Sequence, residues 1–261
     1  MRRRFRIVLE YDGGGFHGWQ AQIGLRTVEG CLREALAPLT DAAAMTAGAS
    51  RTDAGVHALG QVALAVLETR LDAEELARAL AARAPTDLGI VSLEEAADDF
   101  HPRHSAIEKR YLYRIVNSPR RPTFSQRHGW WVAPPLSLDA MAEGARAIVG
   151  RHDFEAFRNR SKDPPEESVR TIRVTRWDCT EEQVFFQVVG DGFLYRMVRN
   201  LVGTLVEVGR GRMEPAAIPE ILLSRDRRRA GPSAPPQGLY LMEIAYPDTP
   251  LCVLDPRPPL F

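Results

Sequence analysis

The 261-residue sequence is poor in cysteine, poorer still in lysine, and carries no net charge. Its three cysteines, Cys31, Cys179 and Cys252, are odd in number, far apart and without a CxxC pair. That spacing excludes a disulfide framework or zinc knuckle as the organising principle and makes a reducing cytoplasm the expected compartment. No apolar run approaches the ~18 residues of a membrane span. The first residues, Met1-Arg2-Arg3-Arg4-Phe5-Arg6, are basic, but Glu10 and Asp12 follow, so no signal peptide is expected. P-loop, GxSxG and HExxH motifs are all absent, which removes three common enzyme readings. What remains is an ordinary globular composition, 44% hydrophobic and 26% charged, enough for one large domain or two small ones.

Neutrality argues against a polyanionic partner only if the charges are mixed, and they are not. Residues 68–99 hold nine acidic and three basic side chains, a local balance of −6. Residues 101–131 hold seven basic and one acidic, or +6, and residues 196–229 hold eight Arg against four acids, or +4. Nearly all the cations are Arg, which suits forked phosphate contacts and stacking, although a GC-rich genome gives the same bias. A basic surface on a neutral protein is therefore expected.

Periodicity sets out two similar halves. A strand over 4–11 precedes a helix over 28–37 capped by Thr27, strands over 43–49 and 61–67, a helix over 73–83 capped by Asp72, and a strand over 88–94. After a seam at Asp98-Asp99-Phe100-His101-Pro102 come a strand over 104–116, a helix over 137–149, strands over 169–178 and 183–190, helices over 193–208 and 214–223, and a strand over 239–245. The economical fold is α+β, with two ferredoxin-like halves sharing a mostly antiparallel sheet flanked by helices. The expected boundaries are 1–100, 101–246 and a Pro-rich tail over 247–261.

Gly13-Gly14-Gly15-Phe16-His17-Gly18 fits GxGxxG after a strand, but the next helix is capped only at Thr27, so the dinucleotide reading fails. A tight loop presenting Phe16, His17, Trp19 and Gln20 fits better, for packing or for RNA contact. His101 and His104 lack further ligands nearby, so an ordinary hydrogen-bonded pair is expected and no metal. Ser50-Arg51-Thr52-Asp53-Ala54-Gly55-Val56-His57 places a carboxylate in a turn between strands, which taken alone fits a backbone cap as well as a catalyst. Lys109-Arg110-Tyr111-Leu112-Tyr113-Arg114 alternates bases with aromatics, either a half-buried strand with a solvated basic face or a stacking platform beside phosphate contacts. Gly190-Asp191-Gly192 leads into a helix with Phe193, Met197, Leu201 and Leu205 as its apolar stripe and Arg199 off the stripe's centre. Such an Arg is either solvated or available to keep a carboxylate ionised.

Together these stretches resemble the TruA-type tRNA pseudouridine synthases, which act at positions 38–40. Tyr11-Asp12-Gly13 with His17-Gly18-Trp19-Gln20 and Thr27-Val28 is similar to that family's N-terminal signature, and Arg51 to His57 to its catalytic loop. Phe100-His101, Ser105-Ala106 and Lys109-Arg110-Tyr111 follow in order, then Asp191 to Asn200 with Gly203-Thr204, and Gly238 to Leu241, so the match runs from about residue 5 to 246. Leu64-Ala65 stands where the family often has His-Phe, and residues 158–168 match only loosely.

The resemblance implies isomerisation of uridine to pseudouridine in the anticodon stem-loop of tRNA by a cytoplasmic homodimer, with no membrane and no metal. It assigns Asp53 as catalytic, Tyr111 to packing on the flipped base, and Arg51 and Arg199 to framing the carboxylate. Isomerisation is redox-neutral and gains no atoms, so no cofactor is expected. Two rivals stand beside it. A non-catalytic RNA-binding module is weakened by the missing RNP aromatics. A glycosidic hydrolase wants a second carboxylate, for which Asp191 is the candidate.

Overall fold

The computed structural model describes residues 2–160 and 167–251. Cys252 with the rest of the Pro-rich tail, and residues 161–166 of the loosely matching 158–168 stretch, lie outside the described residues. The chain divides into two compact units, one comprising Met1–Ile107 with Tyr240–Pro250 and the other centred on Glu108–Leu239.

The first unit is a βαββαβ arrangement. Its elements are β1 (Arg2–Tyr11), α1 (Val28–Leu36), β2 (Met45–Gly48), β3 (His57–Glu68), α2 (Ala73–Ala81) and β4 (Leu88–Glu95). Antiparallel β1 lies between β4 and β3, and β2 adds to the far part of β3, with Met45 opposite Val66 and Gly48 opposite Ala63. The helix starts follow from side-chain caps. Thr27 accepts from the Gly30 N–H at 3.2 Å, and Asp72 and Glu75 cap each other's backbone at 2.8 and 3.0 Å. Val28, Leu32, Ala35 and Leu36 form the buried face of α1, as their spacing requires. Phe5, Ile7 and Leu9 on one face of β1, and Leu67 on β3, are likewise buried. The last strand, β10 (Leu239–Ala245), runs parallel to the start of β3, with Tyr240 opposite His57. A chain segment remote in sequence therefore fixes the point at which β3 begins.

The second unit holds β5 (Glu108–Asn117), β6 (Trp130–Val132), α3 (Leu138–Arg146), β7 (Gly150–Asp153), β8 (Val169–Cys179), β9 (Gln183–Gly190), α4 (Met197–Gly209) and α5 (Ala217–Ser224). Its strands run in the order β5-β9-β8-β7, all antiparallel, with the short β6 parallel to β5. Helix α4 is buried at every position but Glu207. It begins at Met197 and not at Phe193, because Arg196 sits in the left-handed region at φ 60° and cannot continue a right-handed turn. Phe193 thus leaves the expected apolar stripe. Both units are α+β with mostly antiparallel sheets and helices against them. Among the described residues no helix is long and apolar enough to cross a membrane.

Candidate active site

The loop over 49–56 joins β2 to β3 and carries Arg51 and Asp53. Its C-terminal half is a turn: the Val56 N–H donates to the Asp53 carbonyl at 3.2 Å, and Gly55 takes φ 78°. A left-handed third residue is what makes glycine favourable there. Asp53 is half-buried and Arg51 exposed, while Thr52 between them is buried.

The Gly13–Gly18 run forms the wall against which this loop rests. The Trp19 N–H donates to the Thr52 carbonyl at 3.1 Å, and the Gly55 N–H donates to the Phe16 carbonyl at 3.3 Å. Gly18, at φ 89°, lies so close that a Cβ on it would sit 2.8 Å from the Thr52 carbonyl oxygen. Phe16 and Trp19 are buried and serve packing, whereas His17 and Gln20 are exposed. The glycine run therefore cradles the Asp53 loop.

Three buried polar groups tie the loop from beneath. Gln61 on β3 accepts from the Ser50 N–H at 3.2 Å and donates to the Ser50 carbonyl at 2.7 Å and to the Tyr11 hydroxyl at 3.2 Å. Tyr11 and Thr52 share a hydroxyl–hydroxyl bond of 2.8 Å. At the loop's exit the His57 ring stacks on Tyr240, centroids 4.7 Å apart, and its Nδ1 accepts from the Gly13 N–H at 3.1 Å. Thr52, Gln61 and Tyr11 have no catalytic signature. Tyr11 and Thr52 lie within the stretches that resemble the family, and Gln61 interrupts the apolar middle of its strand, but none of the three announces its partners.

In the second unit, Tyr111 is 6% exposed, pairs with Val188 across β5–β9 and meets the edge of Phe193 at 5.1 Å. The solvated basic face expected for this strand is not what forms. Arg114 is buried and donates through Nε to Gln183 on the neighbouring strand β9 at 3.0 Å, while Lys109 and Arg110 are half-buried. Tyr113 is likewise a core residue, donating its hydroxyl proton to the Pro235 carbonyl at 2.7 Å. Arg199 is 8% exposed on α4, so it is not a solvated Arg; its Nε donates to the Ala234 carbonyl at 2.7 Å. Arg51 and Asp53 are thus brought together in one loop of the first unit, and Tyr111 and Arg199 belong to the second.

Two further expectations can be placed. His101 Nδ1 accepts from the Arg103 and His104 N–H groups at 3.1 and 3.2 Å, with burial pushing its pKa below the ordinary imidazole value, so the pair is a local turn cap. Asp191 is exposed and accepts from the Thr171 N–H at 3.0 Å, which uses it to join β8 to β9.

Residues 7–105 and 145–247 match the family model described as tRNA pseudouridine synthase. The tRNA pseudouridine synthase A of Acetivibrio thermocellus is 41% identical over 244 residues, covering 94% of this chain and all of that protein. Those of Myxococcus xanthus and Rhodospirillum rubrum are 42% and 41% identical, covering 95% and 94% of this chain and 93% and 88% of theirs. With that length and level of identity, the chain belongs to the tRNA pseudouridine synthase family.

Proposed function

We propose that the protein isomerises uridine to pseudouridine in the anticodon stem-loop of tRNA, at positions 38–40, working in the cytoplasm as a homodimer without metal or cofactor. Asp53 is the nucleophile, Tyr111 packs on the flipped base, and Arg51 and Arg199 frame the carboxylate. The observation that supports this reading is the immobilised carboxylate-bearing loop, braced by the Gly13–Trp19 segment on one side and by Gln61 on the other. A backbone cap would not need a loop held at so many points.

The chemistry fits a single carboxylate. The bond from N1 of uracil to C1′ of ribose breaks, the base turns, and a bond from C5 to C1′ forms. C5 loses a proton and N1 gains one, so nothing is oxidised and no group is consumed. Asp53 attacks C1′, attacks C6, or takes a proton along a glycal route, and each requires it ionised and shielded from bulk water. A lone carboxylate drawn into a dry site takes up a proton, which is the reason for neighbouring guanidinium groups. Flipping the base costs on the order of a few kcal/mol, and stacking on Tyr111 returns ~1–3 kcal/mol.

The test is tritium release from C5-labelled uridine in tRNA. Asp53→Asn is expected to fold, bind tRNA and release none; normal release would end this reading. A hydrolase would instead liberate free uracil, and a binding module would be indifferent to the substitution. Sequencing tRNA after carbodiimide treatment locates the modified positions.

A further inference from the structure

We infer that Gln61, acting through Ser50, Tyr11 and Thr52, is a positioning residue that sets the height and register of Asp53, an inference that rests on the reading of Asp53 as the nucleophile. Gln61 is completely buried in β3, a strand whose remaining buried side chains are mostly apolar. A buried amide costs stability unless each of its polar atoms is satisfied. Here the oxygen accepts from the Ser50 N–H, and the NH₂ donates to the Ser50 carbonyl and to the Tyr11 hydroxyl. The amide thus stands in for a neighbouring strand, bonding both backbone groups of Ser50 at once. Reversing it would set donor against donor and acceptor against acceptor, so its orientation is unique.

The second arm reaches one residue closer to Asp53. The Tyr11 hydroxyl receives its hydrogen bond from Gln61, which leaves its own proton and a lone pair for Thr52 Oγ1 at 2.8 Å. Tyr11 closes β1, opposite Ala58 and just past an irregularity in the β1–β3 register, so its ring is carried by the sheet. Ser50 and Thr52 flank Arg51, and Thr52 directly precedes Asp53. The sheet is therefore connected to the carboxylate's own peptide by two hydrogen-bonded arms from a single amide. Near-attack geometry is sensitive to displacements of about 1 Å, which can cost ~10²-fold in rate. An arm of this kind acts on the reacting geometry and leaves the RNA-binding surface alone.

Thr52→Val and Tyr11→Phe each remove one hydroxyl, keep the side-chain shape and cut the bond between the two hydroxyls, Tyr11→Phe also removing an acceptor of the Gln61 amide. Steady-state kinetics on tRNA and thermal unfolding are measured for both, for the double variant, for Thr52→Ser and for Asp53→Asn. The expected result is a kcat lowered tenfold or more in each single variant, with KM for tRNA unchanged. The double variant should be no worse than the poorer single one, and Thr52→Ser should restore kcat. Gln61→Met should show the larger loss, and if it fails to fold, the hydroxyl pair carries the test. A kcat within twofold of the parent in both hydroxyl variants, or a loss appearing in KM, or additive losses, would overturn the inference. An active Asp53→Asn would instead overturn the nucleophile assignment itself, so the two failures are distinguishable.

Discussion

Replacing Gly18 with alanine should damage catalysis far more than its chemistry suggests, and Gly24 provides the control. Both glycines are left-handed, at φ 89° and 75°, so alanine at either costs roughly 1–2 kcal/mol of backbone strain. They differ in what a new methyl would meet. At Gly24 nothing lies within 4 Å, whereas at Gly18 the Thr52 carbonyl oxygen is at 2.8 Å and Ala54 N and the Asp53 carbonyl carbon are at 3.2 Å. Those neighbours are backbone, so they move only if the Asp53 loop moves. Retreat also stretches the Trp19 N–H bond to the Thr52 carbonyl, worth about 1 kcal/mol. Gly18→Ala is therefore expected to lose about 2–3 kcal/mol in urea unfolding and ~10²-fold in kcat, and Gly24→Ala about 1–2 kcal/mol with kcat intact. Equal stability and equal kcat for the two variants would refute the claim that Gly18 sets the loop's position.

Three further outcomes follow from the same geometry. Tyr111→Ala should lower kcat/KM tenfold or more, since it removes ~1–3 kcal/mol of stacking, while Tyr111→Phe separates the ring from the hydroxyl: retained turnover assigns stacking alone. The Asp87 carboxylate is held below its ordinary range by its hydrogen bond from Arg26, so the stability it contributes is present above the ordinary carboxylate pKa and is lost as pH falls through the lowered value. For this half-exposed pair the effect is about 1 kcal/mol, and acid titration of unfolding should show the gap between parent and Asp87→Asn closing under acid conditions; a gap independent of pH would contradict it. Neutralising Arg120, Arg121 and Arg127 together should flatten the salt dependence of tRNA binding, by roughly 0.7 in log–log slope for each phosphate that no longer meets a cation, measured by filter binding, whereas Arg228→Ala should leave the slope unchanged.

Helices and long strands were legible because their signals are local. Thr27 and Asp72 cap where a capping side chain should, and the face Val28, Leu32, Ala35 and Leu36 is the one buried. The strands over 130–132 and 150–153 are too short for alternation to register. The pairing of β10 with β3 was invisible for another reason: it joins segments far apart in the chain, and nothing in Leu239 to Ala245 names its neighbour. The site divides in the same way. Asp53 and its turn could be read from Asp-Ala-Gly-Val, since the Gly55 conformation is a property of four residues. The supports at Tyr11, Thr52 and Gln61 depend on three segments meeting, and buried polar side chains acquire meaning only from their partners. Tyr113 and Arg114 showed the opposite failure, in that alternation suggested a usable surface where both side chains are buried.

Zero net charge acquires its physical sense once each Arg is followed to its partner. In the 196–229 block, Arg210 and Arg212 share Glu207, Arg225 meets Asp153, Arg228 meets Asp226 and Arg229 meets Glu220. Arg227 is spent on Asn159, Asn200 and the carbonyls of Ala230 and Gly231, bracing the segment whose Ala234 carbonyl receives Arg199. Most cations of that block are therefore already engaged with partners inside the protein. In the 101–131 block three of the exposed cations are of a different kind: Arg120, Arg121 and Arg127 stand on the connection between β5 and β6, with Arg121 hydrogen-bonded to neutral Gln126 and exposed Phe124 between Arg121 and Arg127. Exposed Arg beside an exposed aromatic is the composition that tracks a single-stranded backbone and stacks its bases. The counterions released on RNA binding are expected to come from this connection, although the 196–229 block holds the larger number of Arg.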